Sequence, residues 1–184
     1  MRRPIFLDRD GVLNVDPSPY VSRVEDLEIF PYTIDALVRL DRAGYDIYVV
    51  SNQQGVALGI TPIEELPKID EAFQSLLRPH GFEIKKFYYA TSHKSENHPW
   101  RKPGSGMILA AAEEFGLDPR GAFMVGDKET DLIAGKAAGC RPLLVLTGRR
   151  SGGWESYECQ PEAVFPTLSE AVDYVIGSSI PSNR

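Results

Sequence analysis

Short apolar runs alternate with amphipathic segments along this chain. Apolar, β-branched and aromatic runs predict five strands, at residues 5–8, 45–51, 84–90, 121–127 and 141–148. Apolar residues at helical spacing predict five helices, at residues 32–44, 61–81, 107–115, 129–139 and 168–177. We expect Thr61 to cap the second helix, with Pro62 at its first position, and Pro67 to kink that helix or divide it into two.

The strict alternation of strands and helices predicts an α/β fold. Consecutive parallel strands need crossover connections, so the pattern indicates a doubly wound parallel sheet with helices on both faces. A chain of 184 residues is long enough for one full-sized core. We therefore expect a single domain at residues 1–177, without a large cap domain, followed by a flexible C-terminal tail at 178–184.

Composition narrows the classes of partner. The formal net charge of -6 provides no basic field for a nucleic acid, although it allows a local basic site for one small anion. No apolar run approaches the roughly 20 residues of a membrane helix. The two cysteines have neither metal-type nor redox-type spacing, and no leader of signal-peptide type is evident. We expect a reduced, cytoplasmic, monomeric protein that binds neither nucleic acid nor membrane.

Polar residues follow the predicted strands at the points where these strands end. Asp8 ends the first strand, Ser51 and Asn52 the second, and Asp127 the fourth, while Lys102 lies in the loop after the third. Ligands of doubly wound sheets bind beyond the carboxyl ends of the strands. We therefore expect these five side chains to converge on one edge of the sheet.

The chemistry of this set is that of phosphoryl transfer. Carboxylates clustered without His or Cys suit Mg²⁺, which usually takes one or two protein carboxylates and fills its shell with water and phosphate oxygens. A carboxylate at that point, Asp8, is a feasible nucleophile for phosphorus, and Asp10 can protonate the leaving oxygen and later deprotonate water. Lys102 and Ser51 would hold the oxygens of the transferring group.

Four segments, in order, resemble the motifs of the haloacid-dehalogenase-like phosphatase superfamily: DRDGVLN, SNQQG, RKPGSGM and VGDKETDL. Their details resemble the histidinol-phosphate and D-glycero-D-manno-heptose-1,7-bisphosphate phosphatases. The resemblance implies that Asp8 is the nucleophile and Asp10 the general acid/base. It implies that Asp8, the backbone carbonyl of Asp10 and Asp127 hold Mg²⁺. It also implies that Ser51, Asn52 and Lys102 bind the phosphoryl group and that Arg101 faces the rest of a small phosphorylated substrate.

The sequence leaves the roles of four further residues open. Lys128 meets substrate phosphate or is a solvated charge. Asp131 supports the metal site, orients Lys102, or is an acid favoured by a helix dipole. Arg149 and Arg150 bind a distal phosphate or belong to a flexible basic loop.

The chain departs from the resembled subgroup in the loop before Arg101. Those enzymes usually carry a zinc-bound Cys-x-His pair and Cys-x-Cys pair there. The matching positions in this chain are Ala90, Ser92, His98 and Trp100. At most one zinc ligand remains, so we predict that no zinc is bound. We expect Trp100, Pro99 and Pro103 to stiffen the loop instead.

Three functional hypotheses follow. The first is a Mg²⁺-dependent phosphomonoester hydrolase that works through an aspartyl phosphate on a sugar phosphate such as D-glycero-D-manno-heptose 1,7-bisphosphate. The second keeps this chemistry and changes the substrate to histidinol phosphate or another small ester. The third is a catalytically silent or phospho-receiver-like domain. Asp10 favours the hydrolase, because an acid two residues after the nucleophile speeds turnover of the phosphorylated aspartate.

Overall fold

The computed structural model describes residues 2–17, 19–149 and 152–178, and within them one six-stranded sheet carries five helices. The strands are β1 (Arg3–Leu7), β2 (Tyr45–Asn52), β3 (Lys86–Ala90), β4 (Phe123–Gly126), β5 (Arg141–Val145) and β6 (Ala163–Phe165). The helices are α1 (Thr33–Arg42), α2 (Glu65–Leu77), α3 (Gly106–Phe115), α4 (Glu129–Ala137) and α5 (Leu168–Gly177). The predicted α/β alternation is confirmed.

The order of the strands places the site. It is β3-β2-β1-β4-β5-β6, and every neighbouring pair is parallel. The chain first builds outward from β1 to β3 and then crosses to β4 on the other side, so the order reverses between β1 and β4. Leu7 of β1 lies opposite Val49 of β2 and Val125 of β4. The residues after these positions therefore emerge together at the crevice where doubly wound sheets bind ligands.

The sheet is covered on both faces because its strands are apolar on both. Ile5 and Leu7 of β1 face a core built with α1, α2 and α5, while Phe6 faces a second core that includes α3. Burial on both sides explains why the strands read as continuous apolar runs rather than as alternating ones. The predicted doubly wound class with helices on both faces is confirmed, and the sheet leaves only its edges and strand ends to solvent.

Two local predictions were wrong. Helix α2 begins at Glu65 rather than at Pro62, since Thr61 is buried in a preceding turn in which its N–H donates to the carbonyl of Gly55. Pro67 then falls in the first turn of α2, where backbone N–H groups have no partner within the helix, and so it neither kinks nor divides the helix.

One strand was not predicted. β6 has three half-buried residues and pairs only with β5 at the edge of the sheet. So short a segment shows no periodicity from which a strand could be inferred.

Several predictions about the chain are not tested by the structure. Residues 179–184 of the predicted tail lie outside the described residues. No helix in the described part of the chain is long and apolar enough to cross a membrane. The monomeric state and the cytoplasmic location stay predictions.

Helix α4 packs so closely on β4 that its glycine is required. A Cβ on Gly135 would lie 2.7 Å from Cβ of Met124. We therefore expect Gly135→Ala to lower the free energy of unfolding by about 1–3 kcal/mol through overpacking, although alanine has the better helix propensity. Gly177→Ala in α5 is the matched control, because within the described residues the added carbon would meet no atom within 4 Å apart from its chain neighbours and its own helix backbone. Urea unfolding measures both, and a Gly135→Ala protein as stable as the wild type would contradict the packing argument.

Candidate active site

The loop after β1 turns sharply and carries both predicted catalytic acids. Asp8 continues the sheet, since its N–H donates to the carbonyl of Val125 at 2.9 Å. Gly11 then adopts a φ of 84°, a left-handed conformation that favours glycine. A Cβ on Gly11 would also lie 2.7 Å from Oδ2 of Asp127. Glycine is thus required here for a close approach of the first loop to Asp127, in addition to any approach of phosphate.

Lys102 is the buried cation of the site. Its Nζ lies 2.9 Å from Oδ1 of Asp8 and 2.6 Å from Oδ1 of Asp131, and it donates to the carbonyl of Val50 at 2.9 Å. Lys102 is 4% exposed. Burial by itself would lower the pKa of Lys102, but Asp131 and Asp8 raise that pKa overall. The ammonium is therefore charged, and it contacts the carboxylates of Asp8 and Asp131 and the carbonyl of Val50, which come from three separate parts of the fold.

The amide of Asn52 fixes the backbone that carries this lysine. The N–H of Lys102 donates to Oδ1 of Asn52, and Nδ2 of Asn52 donates to the carbonyl of Lys102, each at 3.0 Å. The sequence assigned Asn52 to phosphate binding and did not foresee this role. Asn52 still lines the cavity described below, so phosphate binding by this residue stays a prediction.

Asp10 belongs to a separate ion pair. Its Oδ1 faces Nε of Arg9 at 3.0 Å, and its Oδ2 faces NH2 of Arg9 at 3.1 Å. Asn14 donates to Oδ1 at 2.9 Å and Gln53 to Oδ2 at 2.8 Å. Burial would raise the pKa of Asp10, but Arg9 and these hydrogen bonds lower it overall. The two predicted acids, Asp8 and Asp10, are thus paired with different cations.

Three carboxylates gather at this edge of the sheet. Asp8, Asp127 and Asp131 each offer one oxygen within 4.8 Å of the others. Asp127 is 0% exposed, and within the described residues its Oδ1 takes no hydrogen bond. Burial, and then repulsion by Asp131, raise the pKa of Asp127 to about 8.

The charges of this group do not balance. With all three carboxylates ionised, Lys102 and Lys128 supply two positive charges against three negative ones, and the raised pKa of Asp127 reflects this imbalance. A buried oxygen without a donor and an excess of negative charge both suit a hard divalent cation such as Mg²⁺.

The structure brings the carboxylate of Asp131 beside those of Asp8 and Asp127, two members of the predicted ligand set. The Asp10 carboxylate, which was not predicted to be a ligand, pairs with Arg9. The backbone carbonyl of Asp10 as a ligand stays a prediction. Two of the alternatives for Asp131 apply together, since it contacts Lys102 and lies at the N-terminus of a helix. Its Oδ1 pairs with Lys102, and its Oδ2 accepts from the N–H groups of Asp127 and Lys128 at the start of α4.

Lys128 is more than a solvated charge. Its Nζ lies 3.1 Å from Oδ2 of Asp127 and 3.3 Å from Oδ2 of Asp16. The side chain is 40% exposed, so one side of the ammonium is open to a ligand. Asp16 had received no role, because nothing in the sequence links it to a residue 112 positions away.

A cavity of about 420 Å³ opens above these groups. Its lining residues are Asp8, Asp10, Asp16, Pro19, Tyr20, Ser51, Asn52, Arg101, Lys102, Lys128, Thr130, Asp131 and Arg149. The cavity is lined by every predicted catalytic, phosphate-binding and metal-binding residue except Asp127, which is fully buried. Within the described ranges the guanidinium of Arg101 pairs with no carboxylate, and its one hydrogen bond goes to the carbonyl of Ser92. Arg150 lies outside the described residues.

The loop that replaces the zinc-bound segment is held by packing and backbone hydrogen bonds. Trp100 meets Tyr88 edge-on at 6.0 Å between ring centroids, and the N–H of Gly106 donates to the carbonyl of Pro99 at 3.1 Å. The Nδ1 of His98 accepts from the N–H of Trp100. Among the described residues, the three carboxylates above are the only group of three or more His, Cys, Asp and Glu side chains that could share an ion. The absence of zinc stays a prediction.

Three comparisons with known proteins agree with this geometry. The HAD-hydrolase-like family model matches residues 99–171. The chain is 35% identical over 165 residues to a D-glycero-β-D-manno-heptose-1,7-bisphosphate 7-phosphatase of Pseudomonas putida, covering 90% of this chain and 94% of that one. It is 35% identical over 190 residues to the D-glycero-D-manno-heptose-1,7-bisphosphate 7-phosphatase of Thermosynechococcus vestitus, covering 95% and 96%.

Solved structures show the same similarity. The D,D-heptose 1,7-bisphosphate phosphatase of B. bronchiseptica, crystallised with magnesium and phosphate, superposes with a TM-score of 0.88 at 28% identity. That match covers 96% of this chain and 99% of the other. The corresponding enzyme of Burkholderia thailandensis gives a TM-score of 0.70 at 28% identity, covering 95% and 99%.

The Lys102 ammonium makes a direct prediction for stability. Lys102→Met leaves Asp8 and Asp131 buried without their cation, so we expect the free energy of unfolding to fall by about 3–5 kcal/mol. Lys86→Met is the control, since Lys86 pairs with Glu114 on the surface, where such pairs contribute about 0–1 kcal/mol. Denaturant unfolding without added metal compares the two variants. Equal losses would show that the Lys102 pair is no more important to the fold than a surface pair.

Proposed function

The chain belongs to the haloacid-dehalogenase-like phosphatases, and on that basis we propose that it removes one phosphate from a small sugar bisphosphate such as D-glycero-D-manno-heptose 1,7-bisphosphate. The observation that carries this proposal is the position of Asp8. Asp8 directly follows β1, and its carboxylate lies at a cavity that is also lined by the cations Arg101, Lys102 and Lys128. The relatives above, which match nearly the whole chain, carry the name of that reaction.

In the proposed first step, Asp8 attacks phosphorus and the ester P–O bond breaks. The N–H of Arg9 and the ammonium of Lys102 both bind Oδ1 of Asp8, and Oδ2 takes no hydrogen bond or ion pair within the described residues. One oxygen is thus fixed while the other is unengaged. Asp10 gives a proton to the leaving oxygen, so that the products are an aspartyl phosphate and an alcohol.

In the second step, Asp10 takes a proton from water and the resulting hydroxide attacks phosphorus. The bond between phosphorus and Asp8 breaks, which releases inorganic phosphate and restores the carboxylate. Since Asp10 has returned to its ionised form after the first step, the same residue serves as acid and then as base. Its pairing with Arg9 favours the ionised form that takes the proton from water, and the proton gained in this step is the one that Asp10 gives to the leaving oxygen of the next substrate.

Ser51 and Lys102 are suited to hold the phosphoryl oxygens. Oγ of Ser51 accepts a hydrogen bond from Nε2 of Gln53 at 3.0 Å. The hydroxyl proton of Ser51 therefore remains available to a ligand in the cavity. Lys102 adds positive charge beside the nucleophile, where the transferring group gathers negative charge.

Mg²⁺ suits the buried acids, and we propose Asp8, Asp127 and the backbone carbonyl of Asp10 as its protein ligands. When bound, the ion supplies positive charge that offsets the charge of the carboxylates and of the transferring phosphoryl group. Asp131 supports the site through Lys102 and through the backbone of Asp127. Lys128 screens the remaining oxygen of Asp127.

A bisphosphate is favoured over a monophosphate such as histidinol phosphate. Arg101 lines the cavity without a carboxylate partner in the described part of the chain, and Arg149 also lines it. These two guanidinium groups are not needed for the phosphate at Asp8, so they are available to a second anionic group. The receiver hypothesis has no support from the relatives, which are named as phosphatases.

Phosphate release tests the proposed substrate class. With Mg²⁺ present, we expect kcat/KM of roughly 10⁴ M⁻¹s⁻¹ or more for one anomer of the heptose bisphosphate. Histidinol phosphate and sugar monophosphates should react more slowly, because they leave the Arg101 side of the cavity unfilled. Asp8→Asn should abolish release while leaving the fold intact. Negligible release from every ester by a folded, Mg²⁺-saturated sample would refute the proposed function.

Thermal unfolding tests the proposed metal site without any assay of activity. Mg²⁺ at about 100 times its dissociation constant should stabilise the protein by about 2.7 kcal/mol. Asp127→Asn should lose this Mg²⁺-dependent increase in the unfolding midpoint, since a carboxylate ligand is gone. Asp118→Asn, on the exposed loop before β4, should retain it. An undiminished Mg²⁺ response in Asp127→Asn would exclude Asp127 as a ligand.

A further inference from the structure

Arg9 is a fully buried arginine whose side chain does not line the cavity. It is 0% exposed and is the largest fully buried side chain in the described residues. Its Nε and NH2 meet the two oxygens of Asp10 side by side, and NH2 also donates to Oε1 of Gln53 at 3.0 Å. A buried guanidinium is costly unless its partners are well placed. The parallel pairing with one carboxylate restricts the orientation of Asp10.

Gln53, which directly follows β2, restricts the orientation of Asp10 a second time. Its Oε1 is engaged by Arg9, so its Nε2 must point the other way. That nitrogen donates to Oδ2 of Asp10 at 2.8 Å and to Oγ of Ser51 at 3.0 Å. Gln53 is 2% exposed, and each of its polar atoms has a partner. Arg9 therefore orients Gln53 as well as Asp10.

Arg9 also contacts an aromatic ring that does not line the cavity. Cζ of Arg9 lies 5.6 Å from the centroid of the Tyr89 ring in β3. The hydroxyl of Tyr89 donates to Oδ1 of Asp70 in α2. Asp70 does not line the cavity, and its carboxyl group interacts with the charge of Arg9 as well as with the hydroxyl of Tyr89. Burial raises the pKa of Asp70 to about 6, so Asp70 is mostly ionised at neutral pH.

We propose that Tyr89 and Asp70 are positioning residues, which hold Arg9 in place so that Arg9 keeps Asp10 aligned with the leaving oxygen. This proposal rests on the proposed role of Asp10 as general acid/base. It extends the site from the cavity to helix α2. Neither Tyr89 nor Asp70 had a role in the proposed chemistry, and the arrangement links the loop after β1 to β3 and α2 through side chains.

Leaving-group dependence separates positioning of the acid from a general loss of structure. An alkyl phosphate leaves as an alkoxide and needs the proton from Asp10, whereas para-nitrophenyl phosphate leaves as a stable phenolate and needs it much less. kcat/KM reports on the steps up to departure of that group. We expect Tyr89→Phe and Asp70→Asn each to lower kcat/KM for the best sugar phosphate about ten-fold, and for the aryl ester less than about three-fold.

Tyr88→Phe is the matched control. Tyr88 is the neighbouring residue of the same strand, it is buried, and its hydroxyl donates to Oε2 of Glu114 at 2.7 Å on the other face of the sheet. It should lose activity on neither ester. Thermal unfolding of each variant verifies that the protein is folded.

Asp10→Asn and the double variant Asp10→Asn/Tyr89→Phe complete the test. Asp10→Asn should lower kcat/KM for the sugar phosphate more than for the aryl ester, and adding Tyr89→Phe should lower it no further, because the second residue acts through the first. If Asp10→Asn shows the selective loss but Tyr89→Phe and Asp70→Asn affect both esters equally or neither, the positioning proposal is wrong and the proposed function stands. If Asp10→Asn retains full activity on the sugar phosphate, the role of Asp10 fails, and the positioning proposal fails with it.

Discussion

The ammonium of Lys102 is the contact on which the site depends. It joins Asp8 at the end of β1, the carbonyl of Val50 in β2 and Asp131 in α4. A buried lysine is stable only where its charge is paired and hydrogen-bonded, and here two carboxylates and a backbone carbonyl are its partners. The amide of Asn52 fixes the backbone from which Lys102 extends. The distance between nucleophile and cation is thereby determined before any ligand arrives, which reduces the reorganisation needed for phosphoryl transfer.

Separate pairing of two neighbouring acids gives them separate tasks. Asp8 and Asp10 are two residues apart, yet one is paired with Lys102 and the other with Arg9. Burial raises the pKa of Asp8, while Arg9 contributes to lowering that of Asp10. Acids that meet different surroundings can take different roles in one reaction. The excess negative charge of the carboxylate group at Asp127 then explains why a divalent cation suits the site.

The sequence was sufficient for the topology and for the main groups at the strand ends, because both follow from general rules. Alternating patterns require crossovers, and parallel strands end at one edge, so Asp8, Ser51, Lys102 and Asp127 could be brought together without coordinates. The partners of those groups could not be inferred. The pairing of Arg9 with Asp10 depends on a rotamer, and the contact of Lys128 with Asp16 joins distant segments. Strand β6 was too short to leave a pattern, and Pro67 lost its expected effect because α2 begins later.

Direct detection of phosphate on Asp8 is the most direct test of the central claim. The Asp10→Asn protein, with Mg²⁺ and para-nitrophenyl phosphate, whose leaving group needs the proton from Asp10 much less, would be quenched in acid and its peptides examined by mass spectrometry. The account predicts one added phosphoryl group on the peptide that contains Asp8, located on that residue, and none in Asp8→Asn/Asp10→Asn. Substrate turnover by the wild type, with no phosphoryl group trapped on Asp8 at any quench time in either the wild type or Asp10→Asn, would contradict the assignment of Asp8 as the nucleophile.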